Sequence, residues 1–148
     1  VGPVMKKYEA MVLSCIDPRF QSKVHKYLKN KKLTGKFSSF TIAGAGIGVT
    51  HKKFKKWHST FWDNFDTSIK LHKINKLIVI NHRDCGAAKI ANGDKKFNSS
   101  IEHKMHKLSF KNIKTKLRKK YPKVKIKVLI IAITAMIFCQ TTETINLL

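Results

Sequence analysis

An α/β fold, with a mostly parallel central sheet of about four strands flanked by helices, is what this 148-residue sequence predicts. Three observations lead there. Four short apolar runs, at residues 10–14, 37–42, 77–80 and 124–133, have the length and composition of strands. The intervening segments place apolar residues at helical spacing. Polar, chemistry-bearing motifs follow directly on the first and third runs, where sites form beyond the carboxyl ends of parallel strands. The length suits one domain with a sizeable core, taken as residues 5–148. Val1-Gly-Pro-Val4, ahead of Met5, reads as an expression scar.

The elements follow in order. Ala10-Met11-Val12-Leu13-Ser14 is an apolar run that stops at Cys15, and Pro18 prevents its continuation as a central strand. Phe20, Val24, Tyr27 and Leu28 share one face of a helix over 20–31, which Gly35 closes. Phe37–Ile42 is the second strand, followed by the glycine-rich Ala43-Gly44-Ala45-Gly46-Ile47-Gly48. A long helix over 60–74 buries Phe61, Phe65, Ile69 and Leu71 or His72. Leu77-Ile78-Val79-Ile80 is the clearest buried strand. Cys85-Gly86-Ala87-Ala88 turns into a short helix, and Asn92-Gly93-Asp94 is a turn. Ser99 or Ser100 caps a helix to about Tyr121, with Ile101, Met105, Leu108, Ile113 and Leu117 inward. Pro122 ends it. The fourth strand, Val124–Ile133, alternates Lys with apolar residues before becoming wholly apolar. The last stretch, 134–148, has no clear period, and Cys139 is expected to be buried in it.

The formal charge is +23, from 31 Lys and Arg against 8 Asp and Glu. Such a chain attracts polyanions. Lys outnumbers Arg 28 to 3, however, and Ile and Asn are also plentiful. That pattern reads as a genome-wide composition bias, because dedicated phosphate and base readers lean on the bidentate fork of Arg. Nucleic acid is therefore not the expected partner. The bias makes the exceptions informative: two of the three arginines, Arg19 and Arg83, lie inside the polar motifs. The odd cysteine count argues against a disulfide framework and for a reduced, cytoplasmic metal site. The longest strongly apolar stretch, Val128 to Cys139, has 12 residues, short of the roughly 20 that a membrane helix needs.

The motifs are Cys15-Ile16-Asp17-Pro18-Arg19 and His82-Arg83-Asp84-Cys85-Gly86. Cys15, His82 and Cys85 supply two sulfurs and a nitrogen, the donors zinc prefers, and leave a fourth position open as catalytic zinc sites do. A turn into a helix after Cys85 favours its thiolate. Asp17 and Arg19 flank Pro18. They form either an ordinary ion pair bracing the loop or a working dyad, in which Arg19 holds Asp17 ionised to accept a proton from water on the zinc. If Arg19 releases it, Asp17 can instead take the fourth position and shut the site. Asp84 bonds within its own loop, braces Arg83, or supports the zinc from outside. The Gly44-x-Gly46-x-Gly48 loop lacks a complete dinucleotide pattern and fits close backbone packing beside the zinc pocket. His25, His51, His58, His72, His103 and His106 read as solvated or packed.

The order C-x-D-x-R then H-x-x-C, after the first and third strands, resembles the two zinc motifs of the beta-class carbonic anhydrases. Thr60-Phe-Trp62 and Leu71-His-Lys-Ile74 are similar to a divergent bacterial branch. The resemblance spans about residues 9–93. It implies a beta carbonic anhydrase-like fold, a zinc cofactor, and reversible hydration of carbon dioxide to bicarbonate and a proton with zinc hydroxide as nucleophile. It implies Cys15, His82 and Cys85 as metal ligands, Asp17 and Arg19 as the catalytic dyad, and a homodimer or higher homo-oligomer. Three departures stand out. The family's Arg-Asn-Ala-Gly-Asn segment is here Thr41-Ile-Ala-Gly-Ala-Gly46, so polar groups of the usual anion pocket are missing. The ten residues before Met11 leave no room for the long N-terminal helices that wrap a partner, nor a Gln to bind substrate. The tail after Ile133 lacks family features. Hydrolysis of carbonyl sulfide or carbon disulfide on the same zinc, or a non-catalytic zinc protein binding anions or nucleic acid, are the alternatives.

Overall fold

The computed structural model describes residues 7–133 and, as backbone, Glu143–Ile145. Strands β1 (Ala10–Ser14), β2 (Phe37–Thr41), β3 (Lys76–His82) and β4 (Lys125–Ile131) are parallel and lie in the order β2-β1-β3-β4. A short β5 (Glu143–Ile145) adds antiparallel to β4, in the tail where the sequence shows no period. The remaining tail expectations, Cys139 included, lie outside the described residues, as does the segment 1–4.

Alternation along the strands sorts side chains onto two faces. Leu13, Leu77, Val79 and Val128 meet Phe61 and Phe65 of α2 (Lys55–His72) and Phe110, Ile113 and Leu117 of α4 (Ser99–Lys120). Val12, Ile78, Ile80 and Leu129 meet Phe20 and, from α1 (Gln21–Asn30), Val24 and Leu28. Helices therefore cover both faces, which is why β1 and β3 are buried at nearly every position and carry continuous apolar runs, Ala10–Leu13 and Leu77–Ile80, instead of alternating.

The helix boundaries carry corrections. Pro18–Phe20 forms a 3₁₀ turn ahead of α1. Helix α2 begins at Lys55, five residues before the expected Thr60, because its lysine-rich first turn offers no apolar stripe to read. It ends at Lys73, whose φ of 54° stops the helix while its N–H still reaches the Ile69 carbonyl. Leu71, expected near the buried stripe, is 47% exposed. Asn98 caps α4, accepting from the Ile101 N–H at 2.9 Å, in place of Ser99 or Ser100. Leu108 is 56% exposed. The buried stripe of α4 instead runs Glu102, His106, Ser109, Phe110, Ile113, Leu117, polar in its first half and mostly apolar in its second.

The topology makes the site. From β1 the chain moves outward to β2, then crosses back past β1 to β3. The reversal falls between β1 and β3, the switch point beyond whose carboxyl ends open α/β sheets place their sites. Ser14 pairs with Ile80 in the ladder, so Cys15 and His82 leave neighbouring strands side by side.

Candidate metal centre

Cys15 follows β1, His82 ends β3, and Cys85 caps α3 (Gly86–Asn92). Between the last two, Asp84 has a φ of 58°, a left-handed turn that reverses the chain locally. The sulfurs of Cys15 and Cys85 and a ring nitrogen of His82 lie within 4.8 Å of one another. All three residues are buried. The thiols share a proton: a bond from Cys85 holds the Cys15 sulfur as thiolate, down to about 4. Burial opposes this, while the N–H groups of Asp17 and Gly44 assist. The same bond, then burial, pushes Cys85 up, and the N–H groups of Ala88 and Ala87 at the start of α3 counter it.

His82 Nδ1 lies 2.8 Å from the Arg83 carbonyl. A carbonyl only accepts, so Nδ1 carries the proton and Nε2 presents a lone pair. Nε2 is buried and has no hydrogen-bond partner. An orphaned nitrogen facing two sulfurs is costly unless something coordinates it. The donor set and the orphaned atom fit zinc. The Phe20 ring stacks on His82 with centroids 4.1 Å apart and keeps the imidazole in place.

Asp17 Oδ2 stands 3.8 Å from His82 Nε2. Arg19 donates to that oxygen through Nη2 at 2.7 Å, and its backbone N–H donates to Oδ1 at 2.9 Å. The Arg19 bonds hold the Asp17 carboxyl at about 2, overcoming a smaller opposing effect of burial. Arg19 also reaches Asp84, donating through Nη1 to its carboxylate at 2.8 Å and through Nη2 to its carbonyl at 2.9 Å. Asp84 therefore braces Arg19 and not Arg83, which turns away to Ser99. One guanidinium ties the two motif loops together. Gln21 adds bonds to the carbonyls of Cys15 and Asp17.

The glycine-rich loop packs against this centre. The Gly44 N–H points at Cys15 Sγ, 3.3 Å away. The Gly46 N–H donates to Asn81 Oδ1 at 2.9 Å. A Cβ at Gly46 would sit 2.9 Å from both Asn81 Oδ1 and Ser109 Oγ, closer than real contacts allow. Gly46→Ala is expected to cost about 1–3 kcal/mol in urea unfolding through overpacking. Stability unchanged from the parent would mean that Asn81 and Ser109 move freely.

Sequence reading missed the polar layer beneath the metal loop. Glu102 Oε2 accepts from the Cys85 N–H at 2.7 Å, and Oε1 from the Asp84 N–H at 3.1 Å. Burial opposes ionisation of Glu102, but the His106 imidazole beside it and bonds from the N–H groups of Cys85 and Asp84 outweigh it and hold the carboxyl at about 2. The signal was present: Glu102 is the only acid in a helix crowded with lysines. With Asp17 and Asp84, three of the chain's 8 acidic residues surround the centre.

The α/β sheet carries, beyond the ends of β1 and β3, a buried Cys–His–Cys cluster that could hold a metal ion, with the Asp17–Arg19 pair beside it. Residues 5–134 match the sequence model of the putative carbonic anhydrases, and the chain belongs to that family. It is 25% identical over 123 residues to an uncharacterised protein of Rickettsia conorii, covering 82% of this chain and 66% of that one, just under two thirds of its length. A protein of Rickettsia bellii is 24% identical over 123 residues, covering 82% and 75%. Among solved structures, a beta-carbonic anhydrase of Aspergillus fumigatus aligns with a TM-score of 0.65 at 13% identity, over 92% of this chain and 76% of its own. The Coccomyxa beta-carbonic anhydrase in complex with acetazolamide aligns at 0.61 and 13%, over 95% and 75%. These likenesses place the fold among the beta-carbonic anhydrases.

Proposed function

We propose that this chain is a zinc enzyme that reversibly hydrates carbon dioxide to bicarbonate and a proton. The observation that carries the reading is the convergence of Cys15, His82 and Cys85 with the Asp17 carboxylate 3.8 Å from the orphaned His82 nitrogen. Cys15, His82 and Cys85 hold the metal. When bound, zinc supplies a Lewis acid that brings the pKa of water to roughly 7.

The chain's own residues do the rest. Arg19 keeps Asp17 ionised and oriented, so Oδ2 can take a proton from a water beside it. Being 42% exposed, Arg19 keeps this edge of the pair in contact with solvent, where the proton is discharged. Phe20 and Gly44 wall the centre on the imidazole and Cys15 sides. A homodimer or larger homo-oligomer belongs to the same reading, supported by the Sordaria macrospora beta-carbonic anhydrases, which are tetrameric and align with a TM-score of 0.55 at 9% identity over 95% of this chain and 84% of their own. No helix among the described residues is long and apolar enough to cross a membrane, in keeping with the proposed cytoplasmic location.

A second substrate class has one feature in its favour. Ile42, Ala43 and Ala45 present no polar side chains where an anion pocket would need them, and the Gly44 N–H is engaged by Cys15. Carbonyl sulfide and carbon disulfide are linear and apolar and suit such a wall. Zinc-loaded protein supplied in parallel with carbon dioxide and carbonyl sulfide distinguishes the readings. Faster turnover of carbon dioxide is the expected result. Preferential release of hydrogen sulfide would transfer the assignment to the sulfur substrate, and no turnover of either would leave a binding protein.

A further inference from the structure

We infer that Glu102 is a positioning residue for the metal: its carboxylate clamps the backbone of the second ligand loop and holds Cys85 and His82 ready for zinc. The inference rests on the proposed metal site and concerns a residue outside both motifs. Glu102 is 4% exposed and comes from α4, an element that supplies no ligand. Its two oxygens each take one N–H, from Asp84 and from Cys85, in the fork geometry of a charge-assisted pair. Those N–H groups belong to the left-handed residue that turns the loop and to the ligand that follows it. Arg19 holds the opposite side of the same turn through the Asp84 carbonyl and carboxylate. The turn is thus pinned from both sides.

What lies behind the carboxylate fixes the imidazole that faces it. Asn81 Oδ1 accepts from the Gly46 N–H, which identifies the other atom of its amide as the donor. Asn81 Nδ2 therefore donates to His106 Nδ1 at 2.9 Å and to Ser109 Oγ at 3.2 Å. The Ser109 hydroxyl passes its own hydrogen to the His106 carbonyl at 2.7 Å. With Nδ1 accepting, His106 carries its proton on Nε2, which faces Glu102 Oε2 at 3.6 Å. Asn81 is also the residue before His82. Hydrogen bonds thus tie the glycine loop and β3 to α4 through Gly46, Asn81, His106 and Ser109, and leave His106 Nε2 beside the Glu102 carboxylate without a hydrogen bond to it. Groups that orient ligands in this way typically contribute about 10–100-fold to metal affinity.

The test is zinc affinity, measured by competition with a chromophoric chelator, for the parent, Glu102→Ala, Glu102→Gln and Ile113→Val. Ile113→Val trims a buried core residue of the same helix and controls for stability alone. Glu102→Ala is expected to lose about 10–100-fold in affinity. Glu102→Gln keeps one acceptor oxygen and should recover part of that loss. Ile113→Val should bind zinc as the parent does although it melts earlier. In cobalt-substituted protein, the sulfur-to-metal absorption of the Glu102 variants should shift, a change that a general loss of stability does not produce. Equal affinity in the parent and both folded Glu102 variants would overturn the inference, as would an equal loss in Ile113→Val. A parent that binds no zinc would overturn the metal reading itself, a different outcome from either.

Discussion

If the proposed function holds, Cys85→Ser should give a folded protein that neither retains zinc nor hydrates carbon dioxide. A serine hydroxyl stays protonated near neutrality and is a poor zinc donor, whereas the thiolate it replaces is among the best. Only Cys15 and the His82 nitrogen remain, one short of the three protein ligands that a catalytic zinc site uses. Because groups outside the ligand set already contribute about 10–100-fold to metal affinity, losing a ligand should cost more than that. The fold should survive. Residue 85 is the N-cap of α3, and its side chain makes no capping bond at present. Serine is a preferred N-cap and nearly the same size. Elemental analysis of the purified variant beside its thermal melt checks both halves. Full zinc content in Cys85→Ser would remove this residue from the ligand set.

Asp17→Asn separates metal binding from chemistry. The amide oxygen can still accept from the Arg19 N–H and cap the 3₁₀ turn as Asp17 does. It cannot take up a proton. Zinc content should match the parent while turnover falls about 10²–10⁴-fold, the usual contribution of a positioned general base. The pH profile adds a further check. Arg19 holds the folded-state pKa of Asp17 down at about 2, so the ionised form is present throughout the neutral range and is lost only as pH falls through that value. Asp17→Asn should therefore lower the rate at every working pH without moving the midpoint of the profile. Arg19→Ala should also retain zinc and lose activity for a different reason. The released carboxylate, already 3.8 Å from His82 Nε2, becomes free to take the fourth position. Parent-like turnover in Asp17→Asn would reduce the pair to an ion pair bracing the loop.

The two motifs were legible because each is local: a short polar segment fixed to the end of an apolar strand run. Once strands alternate with helices the sheet is parallel and all its carboxyl ends lie along one edge; the structure then sets β1 beside β3. The three donors that the fold brings together could be listed as candidates from this alone. The support behind them could not. Glu102 reaches the loop only because α4 crosses behind it, and a stripe read from Ile101, Met105 and Leu108 turns the helix away from the face that is buried. Counting apolar residues fails there because the first half of the buried stripe is polar. Asp84 illustrates the same limit. In sequence its own loop, Arg83 and the metal are all open to it as partners, whereas in the fold the left-handed turn at Asp84 aims its carboxylate at Arg19, 65 positions away. The early start of α2 was hidden for a third reason: its first turn is rich in lysine, and Phe54, its N-cap, makes no side-chain capping bond that a sequence pattern would mark.

The most direct test of the assignment is stopped-flow carbon dioxide hydration as a function of zinc occupancy, with metal-free protein titrated by zinc and the metal content of each sample measured. The turnover rate should rise in proportion to bound zinc and level off at one ion per chain, and Cys85→Ser should stay at the uncatalysed rate throughout. A chain fully loaded with zinc that hydrates carbon dioxide no faster than buffer would contradict the account.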